Sequence, residues 1–275
     1  SEEDAFMQIK SFLSYLPQNI YELSEKVDCN DPIDRKEEEL LSIIPKDRKR
    51  SYEMRDIVKL VFDKDSFFEM TKFFGKGIIT GFARINGFPV AIFANDSNFY
   101  AGSMSAEGAQ KTSRFIRLCD TFRIPIVSLV DEPGFLIGPD AERAGTILHG
   151  TEAVLATTES KVPWTTIMIR KSFGVAAAAH YGPDGYVLAW PSAESGPLPL
   201  EGGVAVAFKK EIASAKNPEA KRKELEEKMA KNQSPFPRAE AFSVHEIIDP
   251  RETRKYIALW AERIQSQLKA SLMNR

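Results

Sequence analysis

The sequence predicts an α/β domain with parallel strand pairing. Short apolar runs alternate with longer segments of helical spacing over most of the chain, the pattern of a sheet covered by helices. The order strand, strand, helix recurs, so each unit stacks a strand pair and its covering helix on the one before. The runs Ile124 to Val130 and Trp164 to Ile169 are almost wholly apolar, as in buried strands.

The elements follow in order. Residues 1–50 carry few apolar side chains, a charged stretch from Asp28 to Glu39, and Pro17, Pro32 and Pro45. They read as an extended arm on this domain or a partner, or else as a disordered tail. The domain proper is expected over 51–275. Met54 to Phe62 and Phe67 to Phe74 have helical spacing. Ile78 to Ile85 and Pro89 to Ala94 read as strands joined at Asn86-Gly87, a strong hairpin signal. Ser105 to Phe122 is predicted as a helix buried through Ala109, Phe115, Leu118 and Phe122, and Ile124 to Val130 as a strand. Ala141 to Thr158 reads as one long helix, Trp164 to Ile169 as a strand, and Phe173 to His180 as the start of a third helix. Tyr186 to Trp190 is a further strand, Pro218 to Asn232 a solvated helix with Glu and Lys at i,i+4 spacing, Ser234 to Asp249 loop and strand, and Pro250 to Met273 an amphipathic helix.

Composition narrows the function classes. The formal net charge is −2, which points to neither nucleic acid nor an acidic membrane as partner. Cys29 and Cys119 stand far apart, outside any metal-ligand spacing, and fit an intracellular setting better than a disulfide framework. No signal peptide or spanning run is expected. His149, His180 and His245 form no cluster with cysteine, so no zinc site is expected.

The chemistry candidates lie after strands. Val162 to Ile169 ends at Arg170 and Lys171, and Gly174-Val175-Ala176-Ala177-Ala178 follows. A strand that turns there into a helix leaves backbone N–H groups free, and small side chains let a flat ligand approach them. Acyl-transfer and enolate chemistry uses such donors to hold an oxyanion. The alternative is a helix start whose alanines serve packing alone. Arg170 and Lys171 would hold an anion or be plain surface charges. Asp131-Glu132-Pro133-Gly134-Phe135 follows the strand ending at Val130, at the end where α/β proteins place ligands. Asp131 or Glu132 would be a general base, or the carboxylate of a self-bonded turn. Asn95-Asp96-Ser97 also follows a strand. Trp190 to Gly203, stiffened by proline and glycine, would wall a planar ligand. His149 and His180 would titrate near neutrality or be packed on helices. No serine triad, phosphate loop or dinucleotide fingerprint appears.

Taken in order, these stretches resemble the carboxyltransferase β subunit of biotin-dependent acyl-CoA carboxylases, the type acting on propionyl-, acetyl- or methylcrotonyl-CoA, over its C-terminal half. The resemblance is carried by Phe12-Leu-Ser-Tyr-Leu-Pro17, Asp31-Pro-Ile-Asp-Arg35, Tyr52-Glu-Met-Arg-Asp56, Ile79 to Gly87, Val130 to Gly138, Ile147-Leu-His-Gly150, Ile169 to Gly174, Ala189-Trp-Pro191 and Ile247 to Arg254.

The resemblance implies a crotonase-like β-β-α superhelix and one carboxyltransferase C-terminal domain, the half that receives carboxybiotin. It implies transfer of a carboxyl group from carboxybiotin on a carrier protein to the α carbon of a short acyl-CoA. Val175 and Ala176 would be the backbone oxyanion donors beside Gly174. Pro133, Gly134, Phe135, Ala177, Ala178 and Leu198 would bind substrate, with no metal in this domain. The implied partners are an N-type carboxyltransferase domain, a biotin carboxyl carrier protein and a biotin carboxylase, in an oligomer. The implied setting is the cytoplasm, or the mitochondrial matrix in a eukaryote. An acyl-CoA decarboxylase, a transcarboxylase subunit and a non-catalytic scaffold half are the other readings. Many family members have Gly-Gly-Ala-Tyr where this chain has Gly174-Val175-Ala176-Ala177. A valine donates there only if the backbone needs no positive φ. The Leu198-to-Gly203 loop also departs from a frequent Met-Gly, and Ala178 stands where the family sets acyl-chain choice.

Overall fold

A computed structural model describes residues 1–273, the side chain of Glu201 excepted. An eight-stranded sheet forms its centre, in the order β1-β2-β3-β4-β5-β6-β8 with β7 beside β5. The strands are β1 Phe68–Met70, β2 Ile78–Ile85, β3 Phe88–Asn95, β4 Ile126–Glu132, β5 Trp164–Phe173, β6 Tyr186–Ala189, β7 Glu194–Gly196 and β8 Glu246–Ile247. β1, β2 and β3 pair antiparallel, and every later pairing is parallel. The β2–β3 turn has φ of 50° at Asn86 and 79° at Gly87. Both central residues are thus left-handed, as the twist of a two-residue hairpin demands.

The helices are α1 Glu2–Leu13, α2 Met54–Val61, α3 Ala106–Phe122, α4 Pro139–Arg143, α5 Thr146–Glu159, α6 Leu200–Ala207, α7 Lys209–Ser214, α8 Pro218–Gln233, α9 Pro235–Glu240, α10 Thr253–Arg263 and α11 Gln265–Met273. Alternate strand residues face two cores. Ile79, Ile92, Leu129, Ile167 and Leu188 meet α2 and α10. Phe82, Phe93, Ile126 and Trp164 meet α3 and α5. The sheet is therefore buried on both faces, which explains why its central strands read as continuous apolar runs. α2 is only eight residues long, too short to persist alone. It buries Met54, Ile57, Val58 and Val61, each contributing roughly 1.5–3 kcal/mol.

Several elements differ from expectation. Phe67 to Phe74 is not helical: Phe68–Met70 forms the edge strand β1, and positive φ at Thr71 and Gly75 ends any helical path. β4 runs two residues past Val130 because Asp131 and Glu132 find buried partners there. Ala141 to Thr158 splits into α4 and α5 at Gly145, whose φ is 73°. β5 continues through Arg170 and Lys171 to Phe173, and only the short 3-10 turn Ala176–His180 follows. Trp190 to Gly203 is not all loop, since it contains β7 and opens α6. Ser234 to Asp249 holds the short helix α9 as well as the strand β8, and Pro250 to Met273 breaks between α10 and α11.

Residues 14–50 lie along the body. Tyr15 joins the α3 and α5 core, and Leu40 the α2 and α10 core. Val27 N–H donates to Gly87 O at 3.1 Å. Arg254, 1% exposed, donates to Pro32 O (2.8 Å), Asp31 O (3.0 Å), Val61 O (3.1 Å) and Asp63 Oδ1 (2.8 Å). α1 itself buries no residue. No helix among the described residues is long and apolar enough to cross a membrane.

Arg254→Met should therefore cost about 3 kcal/mol, because it removes four buried hydrogen bonds at once, one of them to the Asp63 carboxylate. Urea unfolding would read that loss, and limited proteolysis should cut first between residues 24 and 50.

Candidate active site

Parallel pairing brings the carboxyl ends of β3, β4 and β5 to one edge of the sheet, where α/β folds place ligands. The edge is built around a bulge. Val130 pairs with Met168 and Glu132 with Ser172, so Asp131 alone faces Ile169, Arg170 and Lys171. Extra residues in one strand bend it and re-aim its side chains. The Asp131 carboxylate fills the gap. Its Oδ1 accepts the Lys171 N–H at 3.0 Å, and Arg170 Nη2 reaches Oδ2 at 2.9 Å. Arg170 also donates to Arg50 O at 2.8 Å and lies 4.8 Å over the Tyr52 ring. Asp131 is 0% and Arg170 5% exposed, so neither is a surface charge or a base open to substrate. Burial works against the guanidinium charge and Asp131 outweighs it, leaving the Arg170 pKa raised.

Gly174 follows Phe173 with φ of 65°, a left-handed step that glycine takes without strain. Its N–H donates to Gly196 O at 3.1 Å, which sets the loop carrying Leu198 beside the turn. Val175 then returns to φ −70°, ψ −30°. The position therefore demands no positive φ, and valine fits it without strain. Among the described residues the Val175 and Ala176 N–H groups meet no acceptor. Ala176 and Ala179 pack in the core with Ala153 and Ala156 of α5, so part of the alanine run does serve packing. Gly174, Val175 and Ala178 are exposed, and Ala177 is buried.

The Pro133-Gly134-Phe135 loop leaves β4 with φ of 132° at Gly134. Gly134 O accepts the Met104 N–H at 3.2 Å, and Leu136 N–H donates to Met104 O at 2.9 Å. The Phe135 ring lies against Gly150 of α5, where even a Cβ would collide with it. Leu198 is half-exposed, and its carbonyl accepts from Gln233 Nε2 at 2.9 Å.

Between turn and loop sits Glu132, fully buried. Its Oε1 accepts N–H bonds from Gly134 (2.9 Å) and Met104 (3.3 Å), and its Oε2 accepts from Asn95 Nδ2 at 3.0 Å. Burial pushes its pKa up to about 8, although those three donors oppose the rise. His180 ends the 3-10 turn, stacks on Phe93 at 4.1 Å and shares a 2.9 Å hydrogen bond with Ser128 Oγ. Burial pulls its pKa down to about 3, so it is a neutral, packed imidazole. His149 is also held, by Gln110 at 2.8 Å. Asp96 and Ser97 are buried and tied to Arg55 and Tyr52. Sequence reasoning did not single out Ser128 or Gly196. Ser128 left one trace, as the lone polar residue between Ile124 and Val130. Among the described residues no group of His, Cys, Asp and Glu could hold a metal.

Comparison with known proteins accords with this geometry. The family described as carboxyl transferase domain matches residues 1–274. The propionyl-CoA carboxylase carboxyltransferase subunit of Haloferax mediterranei is 38% identical over 275 residues, covering 98% of this chain and 53% of that protein. The methylmalonyl-CoA carboxyltransferase 12S subunit of Propionibacterium freudenreichii subsp. shermanii is 36% identical over 261 residues, covering 94% and 50%. A crystal structure of transcarboxylase 12S, a hexamer assembly with methylmalonyl-coenzyme A and methylmalonic acid bound, superposes with a TM-score of 0.90 at 36% identity, covering 95% of this chain and 51% of that one. The chain thus spans about half the length of the curated relatives it matches.

Asp131→Asn keeps the shape of the bulge but strands the Arg170 charge in the interior. It should cost about 3–5 kcal/mol, read as a lower urea midpoint with an unchanged slope.

Proposed function

The chain belongs to the carboxyl transferase domain family and has its crotonase-like fold, and from that premise we propose that it performs the carboxybiotin-side half of acyl-CoA carboxylation. The substrates would be a short acyl-CoA and carboxybiotin on a carrier protein. The observation that carries this reading is the pair of N–H groups on Val175 and Ala176 that meet no acceptor among the described residues, beside the exposed Gly174 and Val175 on the carboxyl edge of the sheet.

The chemistry needs an oxyanion held in place. When bound, carboxybiotin supplies the carboxyl group. The chain supplies two fixed donors, which stabilise negative charge without reorganising as it develops. Gly174, Ala177 and Ala178 leave room for a planar group at those donors. Phe135 with Pro133 and Gly134 would wall one side and Leu198 the other, excluding water and strengthening the N–H field. No carboxylate at the turn is free to act as base: Asp131 is paired with Arg170, and Glu132 is buried. The acyl-CoA α-proton would leave by a group brought with the substrates.

We assign residues 1–50 as the arm and 51–275 as the carboxybiotin-side domain. An N-type carboxyltransferase domain would complete the site, from a further part of the polypeptide or a separate chain. A biotin carboxyl carrier protein and a biotin carboxylase would complete the cycle. Ile137, Ile147, Leu148 and Leu155 are 84%, 55%, 66% and 49% exposed around α4 and α5, more apolar surface than an isolated domain ordinarily leaves bare. That supports an oligomer. The two unpaired cysteines fit a reducing setting, the cytoplasm or the mitochondrial matrix. The likeness to the 12S subunit favours transcarboxylation as the second reading.

The test pairs this chain with its co-purifying partner, biocytin, malonyl- or methylmalonyl-CoA, and a panel of acyl-CoA acceptors. Turnover names the acyl group, and acceptance by a substrate other than a CoA thioester would point to transcarboxylation. No turnover from an intact complex would sink the catalytic reading in favour of a scaffold half. Val175→Pro deletes one donor at a φ that proline already prefers. It should lower kcat about 10²–10³-fold with KM nearly unchanged, whereas Val175→Ala keeps the donor and should stay within a few-fold of the parent.

A further inference from the structure

Two buried titratable groups take no part in the chemistry above, yet they lie between its two halves. Glu132 ties three backbone segments together: Gly134 after β4, Met104 before α3, and, through Asn95, the end of β3. Asn95 Nδ2 also donates to Gly102 O at 3.1 Å, and Asn95 Oδ1 accepts the Asp131 N–H at 2.9 Å. His180 ties the other half. It closes the 3-10 turn that begins beside Val175, its carbonyl accepts from Thr166 Oγ1 at 2.8 Å, and its ring is held between Phe93 and Ser128.

The two meet at His180 Nε2 and Glu132 Oε2, 3.7 Å apart and both fully buried. That distance is a contact, longer than a hydrogen bond. His180 Nε2 has no hydrogen-bond partner, and a buried polar atom left so costs about 1–3 kcal/mol. Glu132 Oε2 is the polar atom facing it. Such bonds are often long before substrate arrives and tighten afterwards.

We infer that Glu132 and His180 form a proton-sharing pair that positions the Gly174–Ala178 turn against the Pro133–Phe135 loop; the inference rests on reading that turn as the oxyanion site. In the protonated form Glu132 Oε2–H donates to His180 Nε2, and His180 Nδ1–H donates to Ser128 Oγ. Loss of one proton to solvent leaves a carboxylate facing His180 Nε2–H, and Ser128 Oγ–H turns to donate to Nδ1. The protonated form is the working one, because a carboxylate behind the turn opposes the negative charge the turn must hold.

The surroundings agree. The charged group acting on Glu132 is its neighbour Asp131, which raises its pKa further and is itself held by Arg170. β3 presents Asn95 and Phe93, and the 3-10 turn presents a neutral His180. With the Glu132 pKa at about 8, the pair is protonated at neutral pH and loses its proton as pH rises.

Two readouts test the pair. In the assembled transferase, the transfer rate should fall about tenfold between pH 7 and 9 as the proton leaves. With Glu132→Gln, which cannot ionise, that alkaline limb should vanish, and an unchanged limb overturns the inference. Histidine 15N NMR of the whole chain, with His180 assigned through His180→Asn, is independent of turnover. The His180 nitrogens should exchange donor and acceptor roles across the same range, and stop doing so in Glu132→Gln. Shifts that stay flat from pH 6 to 10 in the parent chain overturn the pair even if transfer proceeds. A parent chain that shows the titration but transfers nothing leaves the pair standing and defeats the proposed function instead. Should Glu132→Gln fail to fold, the parent titration decides.

Discussion

The ion pair between Asp131 and Arg170 is the constraint on which the rest of the edge depends. A parallel ladder carries its strands straight to their ends, and here one strand must bend. Asp131 supplies what the ladder omits, taking the Lys171 N–H that would otherwise bond across the strands. Burying two charges is costly, and the cost is met only because nearly every polar atom is engaged. The guanidinium reaches a carbonyl at Arg50 and a ring at Tyr52 as well, so the end of the arm is fixed by the same group that shapes the turn. Packing of the arm and geometry of the site are thus one problem with one solution.

A second constraint is the scarcity of side-chain chemistry. The candidate site presents backbone N–H groups, small side chains and a few apolar walls. Every carboxylate near it is paired or buried, and the nearest histidine is neutral. Such a site is poor in acids and bases and rich in fixed dipoles, which suits charge that appears only during reaction. In such a site a valine at position 175 need not block the proposed chemistry. The N–H proposed as donor belongs to the main chain, and Val175 sits in an ordinary right-handed conformation.

Much of this was legible in the sequence, and the rest was hidden for physical reasons. The hairpin at Asn86-Gly87, the helix over 106–122 and the turn after the long strand follow from local chemistry: left-handed residues, helical spacing, a glycine past an apolar run. β1 was misread because Phe67 to Phe74 has apolar spacing that suits either period, and only its position at the bare edge of β2 makes it a strand. Arg170 read as an anion holder or a surface charge, and its partner stayed hidden because Asp131 lies 39 residues earlier and no local pattern announces the meeting. Glu132 and His180 were each noticed singly, the one as a base or a self-bonded turn carboxylate, the other as a titrating or a packed ring. Their proximity is a property of the parallel crossover and leaves no mark in either neighbourhood.

β5 is shared between two partners: its first half pairs with β6 and its last residues with β7. The Gly174–Ala178 turn lies between β5 and both of those strands in sequence: its inner side rests on the earlier segments α5, β3 and β4, and its outer side closes only when the β7 segment returns to Gly174. Closing such loops is paid before any contact rewards it. The turn therefore joins two parts of the chain made at different times: Ala176 and Ala179 are seated by segments that precede them, and Gly174 by a segment that follows it.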